Sequence, residues 1–370
     1  LSTICSSRDR SVFEHEYVIS VQVGIIEIRA ALSGDGVYLG GQALHGVTGY
    51  VGRFKPDRFA LDLSAPGFAF NNRSVLSCSG GSTFTYMNEA FSVLDYRLLA
   101  QNASGGTTQN YDGDFVKINL ANAMNFGAVD TTAPTNLTGR LSVGSHTGSF
   151  TQGVALLDTT FTLTRTTSPE TVDGPYNAFS VGIAPTDTDS VALQSFNLDV
   201  DGNSTPEHGS LGSTVQRFGR LRIEPAFGSE IAALSMPFQT QFFNGTDFVI
   251  NANDNCTPFA PTSLILSNVL DGTETDGNIL INGSASTTAS IANNPVSGGN
   301  AGLSFSAPGA GNVGYTDVTA DLSSSGLNMP YLRYDWDGYG TFDNNPTGRA
   351  TFGVFEGSNV IIFSREPGFQ

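Results

Sequence analysis

The stretch Tyr334-Asp-Trp-Asp-Gly-Tyr-Gly-Thr-Phe-Asp-Asn344 holds the densest chemistry in the sequence. Counted from Asp335, carboxylates stand at positions 1, 3 and 9 (Asp335, Asp337, Asp343) and a glycine, Gly340, at position 6. That spacing matches the front of a calcium loop, where hard oxygen ligands converge on one cation and glycine permits the sharp turn. Position 5 is Tyr339, which offers only its main-chain carbonyl, and position 12 is Pro346 where an EF-hand has a bidentate glutamate. A complete EF-hand is therefore excluded. Two readings remain: a shortened loop holding Ca2+ through Asp335, Asp337 and Asp343, or a turn whose carboxylates cap main-chain amides. The aromatics Tyr331, Tyr334, Trp336 and Tyr339 add a second chemistry. Aromatic faces beside carboxylates suit a glycan, with Tyr334, Trp336 and Tyr339 as ligand-binding candidates; the competing role for such rings is core filling.

Other constellations are weaker. Asp199-Val-Asp201-Gly-Asn203 echoes the acidic spacing but lacks glycine at position 6, leaving a metal loop or a solvated turn. Tyr111-Asp-Gly-Asp114 reads as a hairpin turn, since Asp-Gly supplies positive φ between strands. Gly309-Ala-Gly-Asn-Val-Gly314 formally satisfies GxGxxG, but a strand-like Tyr315-Thr-Asp-Val follows where a nucleotide fold needs a helix. The sequence has no GxSxG, HExxH or P-loop lysine pattern, and its four histidines stand far apart, so no enzyme and no catalytic residue are expected. A hydrolase would need histidines and acids to meet in a cleft. Arg217, Arg220 and Arg222 near Glu224 read as cross-strand ion pairs, or else as a grip for an anion or sugar acid.

These groups must be held by strands. The composition, with 43 Gly, 38 Ser, 36 Thr and 27 Asn, favours turns and strands over helix interiors. Apolar and polar residues alternate in Phe161-Thr-Leu163, Val181-Gly-Ile183, Phe196-Asn-Leu-Asp-Val200 and Phe218-Gly-Arg-Leu-Arg-Ile223, the pattern of half-buried antiparallel strands. Val18 to Leu32 reads as a long bent strand or hairpin. In Ala90 to Asn102 the apolar residues Phe91, Leu94 and Leu98 are spaced as on a helix, but the run also reads as a strand ahead of Gly105-Gly106, and strand is expected. The low-complexity run from Ser284 to Gly311 predicts a surface loop or small-residue strands packed closely. The expected fold class is all-β, with several antiparallel, immunoglobulin-like β-sandwich domains in series. Composition shifts set the expected borders: an N-terminal β segment over 1–53, sandwiches over 54–165 and 166–260, and a C-terminal sandwich over 261–370 carrying the Asp-rich loop.

Seventeen Lys and Arg against 34 Asp and Glu give a net charge of −17, without the basic footprint that nucleic acid or an anionic membrane surface requires. No apolar run approaches the length of a membrane span. The chain starts at Leu1 with no basic or apolar leader, as a mature or excised fragment would. Three cysteines, Cys5, Cys78 and Cys256, lie in no metal-ligand spacing and allow three alternative single disulfides; Cys5 with Cys78 is the expected pair.

Four segments carry a resemblance that runs nearly end to end. They are Val23-Gly-Ile-Ile-Glu-Ile-Arg-Ala30; Val51-Gly-Arg-Phe-Lys-Pro-Asp-Arg-Phe59 with Phe84-Thr-Tyr-Met87; Arg217-Phe-Gly-Arg-Leu-Arg222 leading to Gly228-Ser-Glu230 and Cys256-Thr257; and Leu332-Arg-Tyr-Asp-Trp-Asp-Gly338 leading to Arg349-Ala-Thr-Phe-Gly353. In their order and spacing the chain resembles the C-terminal region of the MshQ family, which is associated with the mannose-sensitive haemagglutinin type IV pilus. The resemblance implies a secreted, extracellular location and a non-enzymatic structural or adhesive role at a pilus or cell surface, in an oxidising compartment. The partners it implies are other pilus or surface proteins; the alternative, from an exposed edge strand rather than the resemblance, is a filament subunit that polymerises by pairing with its own neighbours. Relatives continue the Asp-Trp-Asp-Gly run with another Asp or Asn, where this sequence has Tyr339.

Overall fold

The computed structural model describes residues 22–353, apart from 28, 32–36, 39–41, 44, 77, 79, 80, 168, 169, 284 and 324–327. Cys5, His15 and the start of the run from Val18 lie outside the described residues. The chain opens with short strands β1 (Gly24–Ile26), β2 (Arg29–Ala31), β3 (Val37–Tyr38), β4 (Gln42–Ala43), β5 (His45–Val47) and β6 (Val51–Phe54), paired antiparallel as β1 with β6, β2 with β5 and β3 with β4.

A first sandwich follows. One sheet holds β7 (Arg58–Asp62), β8 (Ala69–Asn71), β10 (Ala90–Gln101), β13 (Leu141–Thr151) and β14 (Val154–Leu163), in the order β13-β14-β10-β7 with β8 also beside β10. The facing sheet holds β9 (Phe84–Tyr86), β11 (Phe126–Asp130), β12 (Thr135–Asn136), β15 (Tyr176–Ile183) and β16 (Gly209–Arg217), in the order β12-β11-β15-β16-β9. Inward residues of both sheets meet in one core: the Phe91 ring lies 5.5 Å from Phe161 on its own sheet and 5.8 Å from Phe179 opposite. The hairpin from β13 to β14 turns on Gln152-Gly153, both at positive φ, the two-residue turn whose twist matches its strands.

β10 explains its own ambiguous pattern. Its register breaks between Val93 and Tyr96, with Asp95 at φ 53° and the Asp95 amide bonded to Asp158 Oδ1 at 2.8 Å. A bulge of this kind shifts the inward phase by one residue, which gives a strand helix-like apolar spacing.

The second sandwich is built from β17 (Gly219–Ile223), β18 (Ala226–Gly228), β19 (Leu234–Phe243), β20 (Phe248–Ile250), β21 (Leu264–Asn268), β22 (Gly272–Glu274), β23 (Asn278–Leu280), β24 (Ser286–Ser297), β25 (Asn300–Phe305), β26 (Gly314–Ala320) and β27 (Thr347–Phe352). Its sheets run β17-β19-β25-β24-β23, with β20 beside β19, and β18-β27-β26-β21-β22. The low-complexity run thus forms the hairpin β24–β25, and GxGxxG leads into β26 rather than a helix. All helical turns among the described residues are short 3-10 turns, and none is long and apolar enough to cross a membrane. One of them, Gly113–Phe115, stands where the Asp-Gly pair predicted a hairpin: the Asp112 carboxylate caps Gly113 N at 2.8 Å and the chain runs on without reversing into a paired strand.

The two cores interlock. β9 joins the first sandwich through its parallel pairing with β16, yet its Phe84 and Tyr86 side chains belong to the core of the second. Conversely Phe218, Phe243, Phe248, Tyr334 and Phe342 pack against the core of the first.

Candidate functional site

The Asp-rich loop springs from the 3-10 turn Pro330–Leu332 and is closed by a bridge between Tyr334 and Asn344, whose amides reach each other's carbonyls at 3.3 and 3.2 Å. Within it Gly340 N donates to Asp335 Oδ2 (3.1 Å), Tyr339 N to Asp337 Oδ1 (3.2 Å), Asn344 Nδ2 to Asp337 Oδ2 (3.0 Å) and Thr341 Oγ1 to Asp343 Oδ1 (2.9 Å). All three candidate carboxylates accept hydrogen bonds from the loop itself, Asp335 and Asp337 from main-chain amides and Asp343 from the Thr341 hydroxyl. Asp335 Oδ1 is enclosed and has no hydrogen-bond partner. Among the described residues the carboxylates that gather within 4.8 Å of one another are instead Asp199, Asp201 and Glu207; Asp199 also accepts from Gly202 N and Ser204 N.

The aromatics divide between core and surface. Tyr331 is buried. Tyr334 is stacked on Phe342 at 5.5 Å and meets Phe248 edge-on at 5.0 Å, so it belongs to the junction packing. Trp336, 5.2 Å from Tyr334, is 37% exposed and Tyr339 is 85% exposed. Beneath them the Arg220 guanidinium lies 3.8 Å from the Phe248 centroid, 4.9 Å from Tyr334 and 5.0 Å from Trp336, with its Nε donating to Gln241 Oε1 at 2.9 Å. Burial lowers its pKa. The expected cross-strand ion pairs are thus largely replaced by cation–π stacks. Arg217 lies over Phe84 and Phe242 at 4.8 and 4.2 Å, and only Arg222 finds Glu224, at 2.7 Å along its own chain segment. Arg217 and Arg220 face rings and side-chain amides, not acids, which spacing alone could not reveal.

The largest electrostatic feature lies deeper. Arg73, fully buried and at φ 51°, donates Nε to Glu89 Oε1 at 2.9 Å, Nη1 to Asp254 Oδ1 at 2.7 Å and Nη2 to Thr257 Oγ1 at 2.8 Å. Its guanidinium lies 5.2 and 5.0 Å from the Phe84 and Tyr86 centroids. Tyr86 Oη donates to Asp254 Oδ2 (3.0 Å) and accepts from Asn251 Nδ2 (2.6 Å). Burial works to raise the Asp254 pKa, but Arg73 and the Thr257 hydroxyl and amide overcome it and hold the group below the ordinary carboxylate range. Glu89, shielded from water, is raised by burial against the pull of Arg73. A second buried arginine, Arg165, donates Nη1 to Arg333 O at 2.9 Å and Nη2 to the carbonyls of Gly219 and Tyr331, and covers the Phe218 ring at 4.0 Å. It ties the end of β14 to the base of the Asp-rich loop.

Cys78 is bonded to Cys256, with Cα atoms 5.1 Å apart, which corrects the expected pairing of Cys5 with Cys78. The reason is the Arg73 cluster: its bonds to Asp254 and Thr257 bring the segment that follows β8 alongside the segment that follows β20, and the two cysteines lie within that contact. The composition hinted at this chemistry, since the chain uses two lysines and fifteen arginines, but a pairing across 181 residues leaves no local pattern.

An all-β protein of two interlocked sandwiches, cross-linked at their junction, is the class that these features define. The chain belongs to the DUF6701 family: residues 22–210 match its third domain and residues 217–367 its fourth. No curated protein matches the chain. Among solved structures, the Yersinia pseudotuberculosis adhesin InvE is similar at 12% identity and a TM-score of 0.20, over 80% of this chain and 58% of that one. The CupB6 tip adhesin from Pseudomonas aeruginosa is similar at 6% identity and a TM-score of 0.19, over 81% of this chain and 98% of that one.

Proposed function

We propose that the chain is a non-enzymatic structural module of an extracellular, pilus-associated adhesion protein of MshQ type, in which the two sandwiches act as one stiff unit. The observation that carries this reading is the junction: an Arg73–Glu89–Asp254 cluster, Arg165 and a disulfide all join the first sandwich to the second. Buried ion pairs add conformational uniqueness more readily than stability, and a disulfide suits an oxidising exterior. Other pilus or surface proteins are its partners in this reading. The test uses cells that make the native protein. Antibody to the two sandwiches should label intact cells, and a strain lacking them should lose attachment under flow; labelling only after lysis, or unchanged attachment, overturns the proposal.

A second reading, a carbohydrate-binding face at Tyr334, Trp336 and Tyr339, is favoured by the exposure of Trp336 and Tyr339 above Arg220. Calcium at Asp335, Asp337 and Asp343 belongs to it, and the unpartnered Asp335 Oδ1 is the oxygen that such an ion would engage. A glycan array with and without calcium decides it, and no binding in either condition removes it.

A further inference from the structure

Two long strands stand at or near sheet rims with one side open over most of their length. Beyond its pairing with β23, β24 carries Pro295 and a register break between Ala292 and Ser297, devices by which a sheet edge refuses a further strand. β13 has no proline, and its register breaks once, between Val143 and His146. It flanks only β14, and among the described residues its main chain bonds to no other main chain. Its sequence, Leu141-Ser-Val-Gly-Ser-His-Thr-Gly-Ser-Phe-Thr151, contains no proline and no acid, lysine or arginine, and eight of its eleven residues are exposed. His146 turns onto Phe126 at 5.5 Å and bonds Thr159, and burial lowers its pKa, so the strand is uncharged at neutral pH. Besides that bulge, the strand departs from regular geometry at Gly148, which stands at φ 138°.

We propose that β13 is a docking edge for β13 of a second copy of this chain, the two strands running antiparallel about a two-fold axis and joining two sheets into one. Charge selects the partner. Two copies at −17 repel, and they approach most easily where neither carries charge, while a cationic segment would find no acid on β13 to pair with. Closure is also set by the fold: the opposite rim of the same sheet, β7, is occupied, with Phe59 N donating to Ala192 O and Gln194 N to Phe59 O, both at 2.8 Å. Pairing therefore stops at a dimer and does not propagate. One ladder buries little surface, so the association is weak in dilute solution and gains strength where many copies are displayed together.

The test is sedimentation equilibrium of the full chain from micromolar to millimolar concentration at low and high salt, with amide exchange followed at both ends of the range. The expected result is a monomer–dimer equilibrium that tightens with added salt as the repulsion is screened, with slowed exchange in β13 at high concentration. Thr147→Lys/Ser149→Lys places like charges across the paired strands and should weaken the dimer about tenfold, although it lowers the net repulsion between copies. Thr246→Lys, on the exposed β19–β20 turn, should not weaken it. A monomer throughout, a dimer whose β13 amides are unprotected, or a double-lysine variant that dimerises as before overturns the proposal. Because none of these readouts involves cell attachment, the result is independent of the adhesion-module reading above.

Discussion

Arg73 and Asp254, 181 residues apart in sequence, form an ion pair at 2.7 Å in which neither side chain touches solvent. One residue lies beyond β8 of the first sandwich and the other beyond β20 of the second, so the fold of each unit fixes the partner that the other's charge requires. An isolated buried charge is costly, and the pair holds only while both sandwiches are intact.

Arg73→Met leaves Glu89 and Asp254 buried without their cation and should cost about 3–5 kcal/mol. Denaturant unfolding followed by circular dichroism measures the loss. The triple variant Arg73→Met/Glu89→Gln/Asp254→Asn should recover part of it, because the desolvated charges are gone; a triple variant no more stable than the single one contradicts this account.

Acid should act on the cluster with two opposite signs. Asp254 has a folded pKa below its reference value of 3.8, so its contribution is present above that value and is lost as the pH falls through the folded pKa. Glu89 has a folded pKa above its reference of 4.5, so its contribution is present below that value and is lost as the pH rises through the folded pKa. Melting temperature against pH should therefore rise slightly on mild acidification and then fall. Glu89→Gln should abolish the rise, and Asp254→Asn should soften the fall.

Gly219 begins β17, and a Cβ there would sit 2.4 Å from Tyr86 Cδ1, while its carbonyl receives Arg165. Gly219→Ala should push the Tyr86 ring out of the junction and destabilise the protein by about 1–3 kcal/mol. If its melting temperature matches the parent's, the close approach at the junction is not as described.

Trp336 is the sole tryptophan, so its fluorescence reports on the Asp-rich loop without labelling. Exposed as it is, Trp336→Ala should change stability by less than about 1 kcal/mol. Any sugar binding seen on the array should vanish with Trp336→Ala and weaken with Tyr339→Ala. Sugar binding that survives both variants would place the ligand elsewhere.

Removing the Cys78–Cys256 bond by Cys78→Ser frees a long loop and should cost up to about 5 kcal/mol in the chain-entropy account. Calorimetry with and without reductant measures it, and non-reducing peptide mapping should recover Cys78 joined to Cys256.

Strand content was legible because alternation is local: β14, β15 and β17 follow the apolar pattern directly, and the small-residue run could form β24 and β25 without bulky side chains. β10 was harder, since the bulge at Asp95 displaces Leu94 from the strand's period. The Asp-rich loop was legible as a run rich in carboxylates, but its closure by the isolated bridge between Tyr334 and Asn344 was not, because it follows a 3-10 turn and leaves no alternating pattern. The Arg73 cluster was not. Asn-Asn-Arg-Ser reads as an ordinary polar turn, and nothing near Asp254 marks it as the counter-ion of a residue in another sandwich. Local sequence encodes periodicity and turn chemistry, whereas pairing across domains is set by packing that only the assembled cores determine.

The bond between Cys78 and Cys256 spans 178 residues, and strands β9 to β20 all lie within that loop. A pull on the two ends of the chain therefore crosses from the segment after β8 to the segment before β21 through two sulfur atoms. About 600 Å of extended polypeptide, at about 3.4 Å per residue, is kept off the tensile path while the bond is intact. Strands β9 to β20 can then not be drawn out, and lengthening comes from β1–β8 and β21–β27 alone. The cross-link works as a covalent shunt, setting a ceiling on how far the molecule can lengthen until a reductant releases it.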